Sequence, residues 1–265
     1  MSKVAYRVDS GVALLTLDEP PANTYSYEMM RELDAAILDA RMDASVHVIV
    51  LTGAGEKFFC AGATIGMLKD ADPAFKYYFC LHANETLNRL EQTPKLVIAA
   101  LNGHTVGGGF EVAMAADLRI AKKDGGKIGL PEVALGVLPG TGGTQRLARL
   151  VGKARAMELM VNGRLMTMDQ AASLGLVTEV WGDDKLAGRP FIDAVLDHAK
   201  QFTPPHKASL AVGRIKRAVQ SGAEAGFGEG LAIERELQQL LFETDDAREG
   251  IAANLEKRPP KFKGQ

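Results

Sequence analysis

The sequence predicts an α/β fold of repeated strand–helix units followed by a helical C-terminal region, and three features carry that expectation. Two six-residue apolar runs, Val46–Leu51 and Leu96–Leu101, have the length and β-branched content of buried strands. Helical spacing of apolar residues precedes and separates them, which implies crossover units and a parallel sheet. Beyond Pro204-Pro205 the pattern becomes helical throughout. With 265 residues and 46% hydrophobic content, the chain is long enough to bury a sizeable core.

Val4–Val8 alternates, Asp9-Ser10-Gly11 supplies a turn, and Val12–Leu17 completes a predicted β-hairpin. After the Pro20-Pro21 loop, Met29, Met30, Leu33, Ile37 and Ala40 recur at helical spacing, predicting an amphipathic helix over 26–41. The strand 46–51 comes next, then a helix within 75–92, the strand 96–101 and a helix opening at Gly107-Gly108-Gly109. Short strands are expected near 117–121 and 176–180, with helices at 141–149, 153–161 and 168–174. The last region, 206–220, 228–243 and 246–256, carries apolar stripes with charged outer faces. The boundary falls near 203, giving a core of 1–203 and a helical region of 204–265, which either packs on a neighbouring subunit or closes its own domain.

Composition narrows the function classes. The 31 basic and 33 acidic residues give a net charge of −2, so no global field recruits nucleic acid or an anionic membrane. Cys60 and Cys80 form no CxxC pair and suit a reducing compartment. The N-terminal residues lack a secretory pattern and no apolar run reaches membrane-span length, so a cytoplasmic location is expected. The histidines at 47, 82, 104, 198 and 206 form no close ligand pair, and no metal site is expected.

The glycine run raises the chemical question. A Walker loop would end in Gly-Lys-Ser/Thr, whereas residues 110–113 are Phe-Glu-Val-Ala. The stretch Val48–Phe58 begins like a dinucleotide fingerprint but places Phe58 at the third glycine position. Gly62–Gly66 imitates a nucleophile elbow with Thr64 in place of serine, without a matching triad. The remaining reading is that glycines at a helix start expose backbone N–H groups to a developing negative charge, with Glu111 one turn inside the helix. Glu132 comes after Pro131 in a second apolar, glycine-flanked turn. Either glutamate can also be an ordinary first-turn acid, but two in such settings point to an acid/base pair.

These residues resemble the crotonase, or enoyl-CoA hydratase/isomerase, superfamily over essentially the whole chain. The specific pieces are FFCAGATI (58–65), NGHTVGGGFEVAMAADLRIA (102–121) and GLPEVALGVLPGTGGTQRL (129–147). The resemblance implies a spiral of ββα units with a C-terminal helical trimerisation region, assembled as a homotrimer or a homohexamer made of two trimers. It implies an acyl-CoA substrate, no separate cofactor, and a thioester enolate held by the N–H groups of Ala63 and Gly108. In the family's hydratases the position of Glu111 activates water, that of Glu132 donates a proton, and that of Gly140 helps hold the water. CoA contacts carry over to Ala22, Lys57, Ala61 and Ile65, and to Lys257 from another part of the assembly. Both lysines can equally be solvated charges.

Three departures from the family pattern touch the substrate and CoA rims: Thr64 after the oxyanion alanine, Asn254 in the C-terminal motif, and Thr24-Tyr25 in the N-terminal loop. The position of segment 66–80 predicts an acyl pocket of Met67, Leu68, Phe75 and Tyr78. The expected activity is 2-enoyl-CoA hydration, with dehydration in reverse. A Δ3,Δ2-enoyl-CoA isomerase with one base is the alternative, and RNA binding through Lys207, Arg214, Lys216 and Arg217 on one helix is a remote one, with no aromatic platform beside it.

Overall fold

The computed structural model describes residues 2–265. It is an α/β fold with two sheets whose strands alternate along the chain. The hairpin forms as expected: β1 (Val4–Asp9) and β2 (Val12–Leu17) pair antiparallel, Val4 opposite Leu17. Helix α1 (Tyr27–Met42), capped by the Ser26 side chain, buries all five residues of its predicted stripe. Three units come after it, each with one strand per sheet: β3 (Val48–Gly53) and β4 (Phe58–Cys60), β5 (Leu96–Leu101) and β6 (His104–Val106), β7 (Leu118–Lys122) and β8 (Lys127–Gly129). The larger sheet has the order β1-β2-β3-β5-β7-β10, where β10 is Glu179–Trp181. The smaller has the order β4-β6-β8-β9, where β9 is Met166–Thr167.

The larger sheet is covered on both faces, which explains its continuous apolar runs. Ile49, Leu51, Val97, Ala99 and Leu101 point into the main core, beside α1 and α3 (Pro73–Gln92). Val48, Val50, Ile98 and Ala100 point the other way and pack under α9 (Phe191–Lys200) through Phe191, Ala194 and Val195.

The small sheet positions the site. Its strands β4, β6 and β8 are adjacent and parallel, so the segments leaving their C-terminal ends emerge on the same edge. Ala61–Ala63 leaves β4. The glycine run leaves β6 and opens helix α4 (Gly108–Met114), while Pro131-Glu132 lies beyond β8 and opens the single 3₁₀ turn Glu132–Leu135. Asn102 fixes the turn between β5 and β6: its Nδ2 donates to Gly53 O at 3.0 Å and Gly55 O at 2.7 Å, and its Oδ1 accepts from Gly53 N at 3.2 Å.

Helices α5 (Gly143–Val151), α6 (Lys153–Val161) and α7 (Met168–Ser173) match their predicted positions. The C-terminal helices are α10 (Ser209–Glu224), α11 (Phe227–Phe242) and α12 (Asp245–Leu255). Lys216 of α10 is buried in an ion pair with Asp117 at 2.8 Å, so it is not part of a solvated cationic face. Lys207 precedes the helix. Of the four charges predicted to share one helix, Arg214 and Arg217 are left to the surface of α10. No helix among the described residues is long and apolar enough to cross a membrane.

Candidate active site

The three segments leaving the small sheet meet around a cavity of about 270 Å³, lined by residues that include Ala61, Ala63, Gly108, Glu111, Glu132 and Gly140. Glycine is required at the centre by geometry. Gly107 has φ 59°, a left-handed conformation, and an added Cβ would stand 3.0 Å from Oε1 of Glu132. At Gly108 an added Cβ would collide with the buried Tyr25 ring and hydroxyl. Gly108 is the first residue of α4, where the N–H has no intrahelical partner, and the N–H of Ala63 donates to no backbone carbonyl among the described residues. Two amides thus border the cavity with their hydrogens unassigned.

The carboxyl groups have unequal surroundings. Glu111 is buried, and Oε1 accepts from Thr141 N at 2.8 Å and Gly143 N at 2.7 Å, while Oε2 accepts from the Thr141 hydroxyl. Burial raises its pKa above the ordinary carboxylate range, and these three donors and Arg146 oppose the rise. Glu132 has a buried Oε2 with no hydrogen-bond partner among the described residues. Burial pushes its carboxyl up to about 7; its own backbone N–H opposes the shift, the Glu111 charge adds to it, and Lys76 opposes it. One carboxylate is solvated by the protein, and the other favours its proton.

The other expected residues divide. Ala61 lines the cavity and its N donates to Ala22 O at 3.1 Å, and Ile65, also in the lining, is exposed. Lys57 is exposed beside the Phe58 ring, and Lys257 lies beyond the end of α12; neither lines the cavity. Of the expected acyl-pocket residues, Met67, Phe75 and Tyr78 do not line this cavity. Met67 packs against the core, Phe75 stacks on Phe79, and Tyr78 is exposed against Tyr77, while the Leu68 side chain lies outside the described residues. Helical phase accounts for α3: at 3.6 residues per turn, Lys76 faces the cavity among the described residues, and Phe75 and Tyr78 face elsewhere. The cavity's apolar wall comes instead from Ala134, Leu135, Val137 and Leu138.

Thr141 is a cavity residue inside the 129–147 motif with no expected role, and Lys76 and Tyr25 line the cavity without any motif to mark them. Only the oddity of Thr24-Tyr25 hints at one of them. Among the described residues, no group of three or more His, Cys, Asp or Glu is placed to hold a metal ion.

Residues 7–265 match the family model described as enoyl-CoA hydratase/isomerase. The chain belongs to this family. It is 36% identical to a short-chain-enoyl-CoA hydratase of Clostridium acetobutylicum over 97% of this chain and 96% of that one. It is 36% identical to a 2,3-dehydroadipyl-CoA hydratase of Escherichia coli over the full length of both. The crystal structure of an enoyl-CoA hydratase from Geobacillus kaustophilus HTA426 superposes with a TM-score of 0.95 at 42% identity, covering 100% of this chain and 98% of that chain. The fold of this hydratase/isomerase family member is therefore the crotonase spiral, with Glu111, Glu132 and the two unassigned amides at one cavity.

Proposed function

We propose that the protein is a 2-enoyl-CoA hydratase that adds water reversibly across the α,β double bond of an acyl-CoA thioester. The observation that carries this reading is the inequality of the two carboxyl groups facing one cavity. Hydration needs a base for water at the β-carbon and an acid for the α-carbon, and Glu111, fully supplied with donors, suits the base. Glu132, with its unpartnered oxygen and raised pKa, suits the proton donor.

In this mechanism the thioester oxygen accepts from Ala63 N–H and Gly108 N–H. Glu111 takes a proton from water as its oxygen attacks the β-carbon. The double-bond electrons move onto the thioester oxygen, giving an enolate that the two amides stabilise. Collapse of the enolate takes the Glu132 proton to the α-carbon. The Glu111 proton then returns to Glu132 through exchange with solvent, so one water is consumed and no cofactor is needed. Gly140 borders the water site, and Ala22, Ala61 and Ile65 lie where the CoA arm would leave the cavity. The helical region 204–265 is assigned to assembly as a homotrimer or homohexamer, because α11 buries none of its residues.

The test is Glu111→Gln and Glu132→Gln, assayed by loss of the conjugated enoyl-thioester absorbance. Each is expected to lower hydration by at least about 10²-fold, with acyl-CoA affinity nearly unchanged. Transfer of a 3-enoyl-CoA double bond into conjugation without hydration, kept by Glu111→Gln and lost in Glu132→Gln, would replace the hydratase by a one-base isomerase. Normal hydration by both would remove the assignment altogether.

A further inference from the structure

Tyr25 sits in the loop before α1, yet its side chain belongs to the cavity. Its backbone forms a parallel bridge to Ala63, with Tyr25 N donating to Gly62 O at 2.9 Å and Thr64 N donating to Tyr25 O at 3.1 Å. This carries the ring inward, 5.9 Å from Phe79 between ring centroids, and leaves it 3% exposed. The hydroxyl lies against Gly108 and 3.2 Å from Oγ1 of Thr141.

The direction of that hydrogen bond is fixed by counting hydrogens. An ionised carboxylate only accepts, so Thr141 commits its single hydroxyl hydrogen to Oε2 of Glu111. The Tyr25 hydroxyl is therefore the donor to Thr141. The result is a directed chain, Tyr25 to Thr141 to Glu111, inside a buried site where successive hydrogen bonds polarise one another.

We propose that Tyr25 is a positioning residue for the base: by donating to Thr141 it commits the Thr141 hydroxyl to Glu111 and keeps that carboxylate charged and aimed. This role rests on the assignment of Glu111 as the base. Tyr25 does not itself reach the reacting atoms through its proton, which is already given to Thr141. The other titratable groups around this chain are Glu132 from the 3₁₀ turn, Arg146 from α5, Lys76 and Cys80 from α3, and Cys60 from β4. Removing the Tyr25 hydroxyl leaves all of them in place, so a change in Glu111 titration reports the relay.

The experiment compares Tyr25→Phe, Thr141→Val, Thr141→Ser and the Tyr25→Phe/Thr141→Val double variant. Phenylalanine keeps the ring, and serine keeps the donor. Tyr25→Phe is expected to lower kcat for hydration roughly five- to tenfold with little change in KM, the scale of one lost hydrogen bond to a charged network. Its acid limb should move to higher pH, because a carboxylate with weaker donors binds its proton more readily. Thr141→Ser should keep the parent profile, and the double variant should be no worse than Thr141→Val alone. An unmoved acid limb in Tyr25→Phe, or multiplying losses in the double variant, overturns the relay.

A second readout needs no substrate. In protein carrying ¹³C-carboxyl glutamate, infrared titration should place the Glu111 band, identified by its loss in Glu111→Gln, at higher pH in Tyr25→Phe than in the parent. An unchanged titration overturns the relay whatever the protein catalyses. A shifted titration in a protein that hydrates no enoyl-CoA keeps the relay and removes the hydratase.

Discussion

Glu132 keeps a buried oxygen without a partner, and that arrangement has a cost in stability that the pH dependence exposes. Its folded-state pKa is raised from 4.5 to about 7, so between those values the folded protein binds more protons at this position than the unfolded chain. Stability from this group is therefore fully present below about 4.5 and is lost as pH rises through about 7. Glutamine mimics the protonated acid at every pH. Glu132→Gln is expected to melt higher than the parent at pH 8 and equally at pH 4, by calorimetry, while losing activity. The same shift shapes the rate: hydration should fall as pH rises past neutrality, as the shared proton is lost from the carboxyl pair. At Gly143 an added Cβ would stand 2.8 Å from Oε1 of Glu111 and crowd the base. Gly143→Ala should cut kcat by about tenfold or more in a folded protein, since small misplacements of a catalytic group are costly. Wild-type turnover in that variant would show that the Glu111 carboxylate is not held where the chemistry occurs.

At the level of elements, what is legible in the sequence depends on how many residues vote. The six-residue strands β3 and β5 and the helices α1, α6 and α7 carry enough apolar periodicity to be placed within a residue or two. The small sheet escapes pattern reading because β4, β6 and β8 have three residues each, too few for alternation to be scored. Helix α9 goes unpredicted although it covers the outer face of the large sheet. The paired glutamates and glycines are legible because chemistry confines them to unusual settings, whereas Thr141 and Lys76 are common residue types in ordinary positions. Phe75 and Tyr78 do not line the cavity, because position after a motif does not give helical phase. Lys76 is the α3 residue that lines the cavity, and it opposes the rise at Glu132. Lys76→Met should therefore raise the Glu132 pKa further and move the alkaline limb of hydration to higher pH; an alkaline limb that stays or moves down would separate Lys76 from the proton donor.

Across the whole molecule, part of the unburied apolar surface lies on the C-terminal helices. Phe227, Phe242, Ile251 and Leu255 of α11 and α12 are each more than half exposed, and α10, which packs on α11, is fastened to the core by the Lys216–Asp117 pair and by Gln220 to Asp117 at 3.0 Å. Exposed apolar residues on such helices are the surface through which the proposed assembly would form. Light scattering at micromolar concentration should give the mass of three or six chains of 28.4 kDa, and a monomer would refute the assembly. The proposed assembly also bears on the site. Lys257 is exposed just past α12 and does not line its own chain's cavity, and the family resemblance has it approach the CoA phosphates from another part of the assembly. Lys257→Ala should then raise KM for an enoyl-CoA several-fold while leaving KM for the matching pantetheine thioester, which lacks the nucleotide phosphates, unchanged. Salt should produce the same contrast in the parent, because an exposed lysine–phosphate contact is screened. Equal effects on both thioesters would place Lys257 in folding or assembly, and no effect on either would leave it a solvated surface charge.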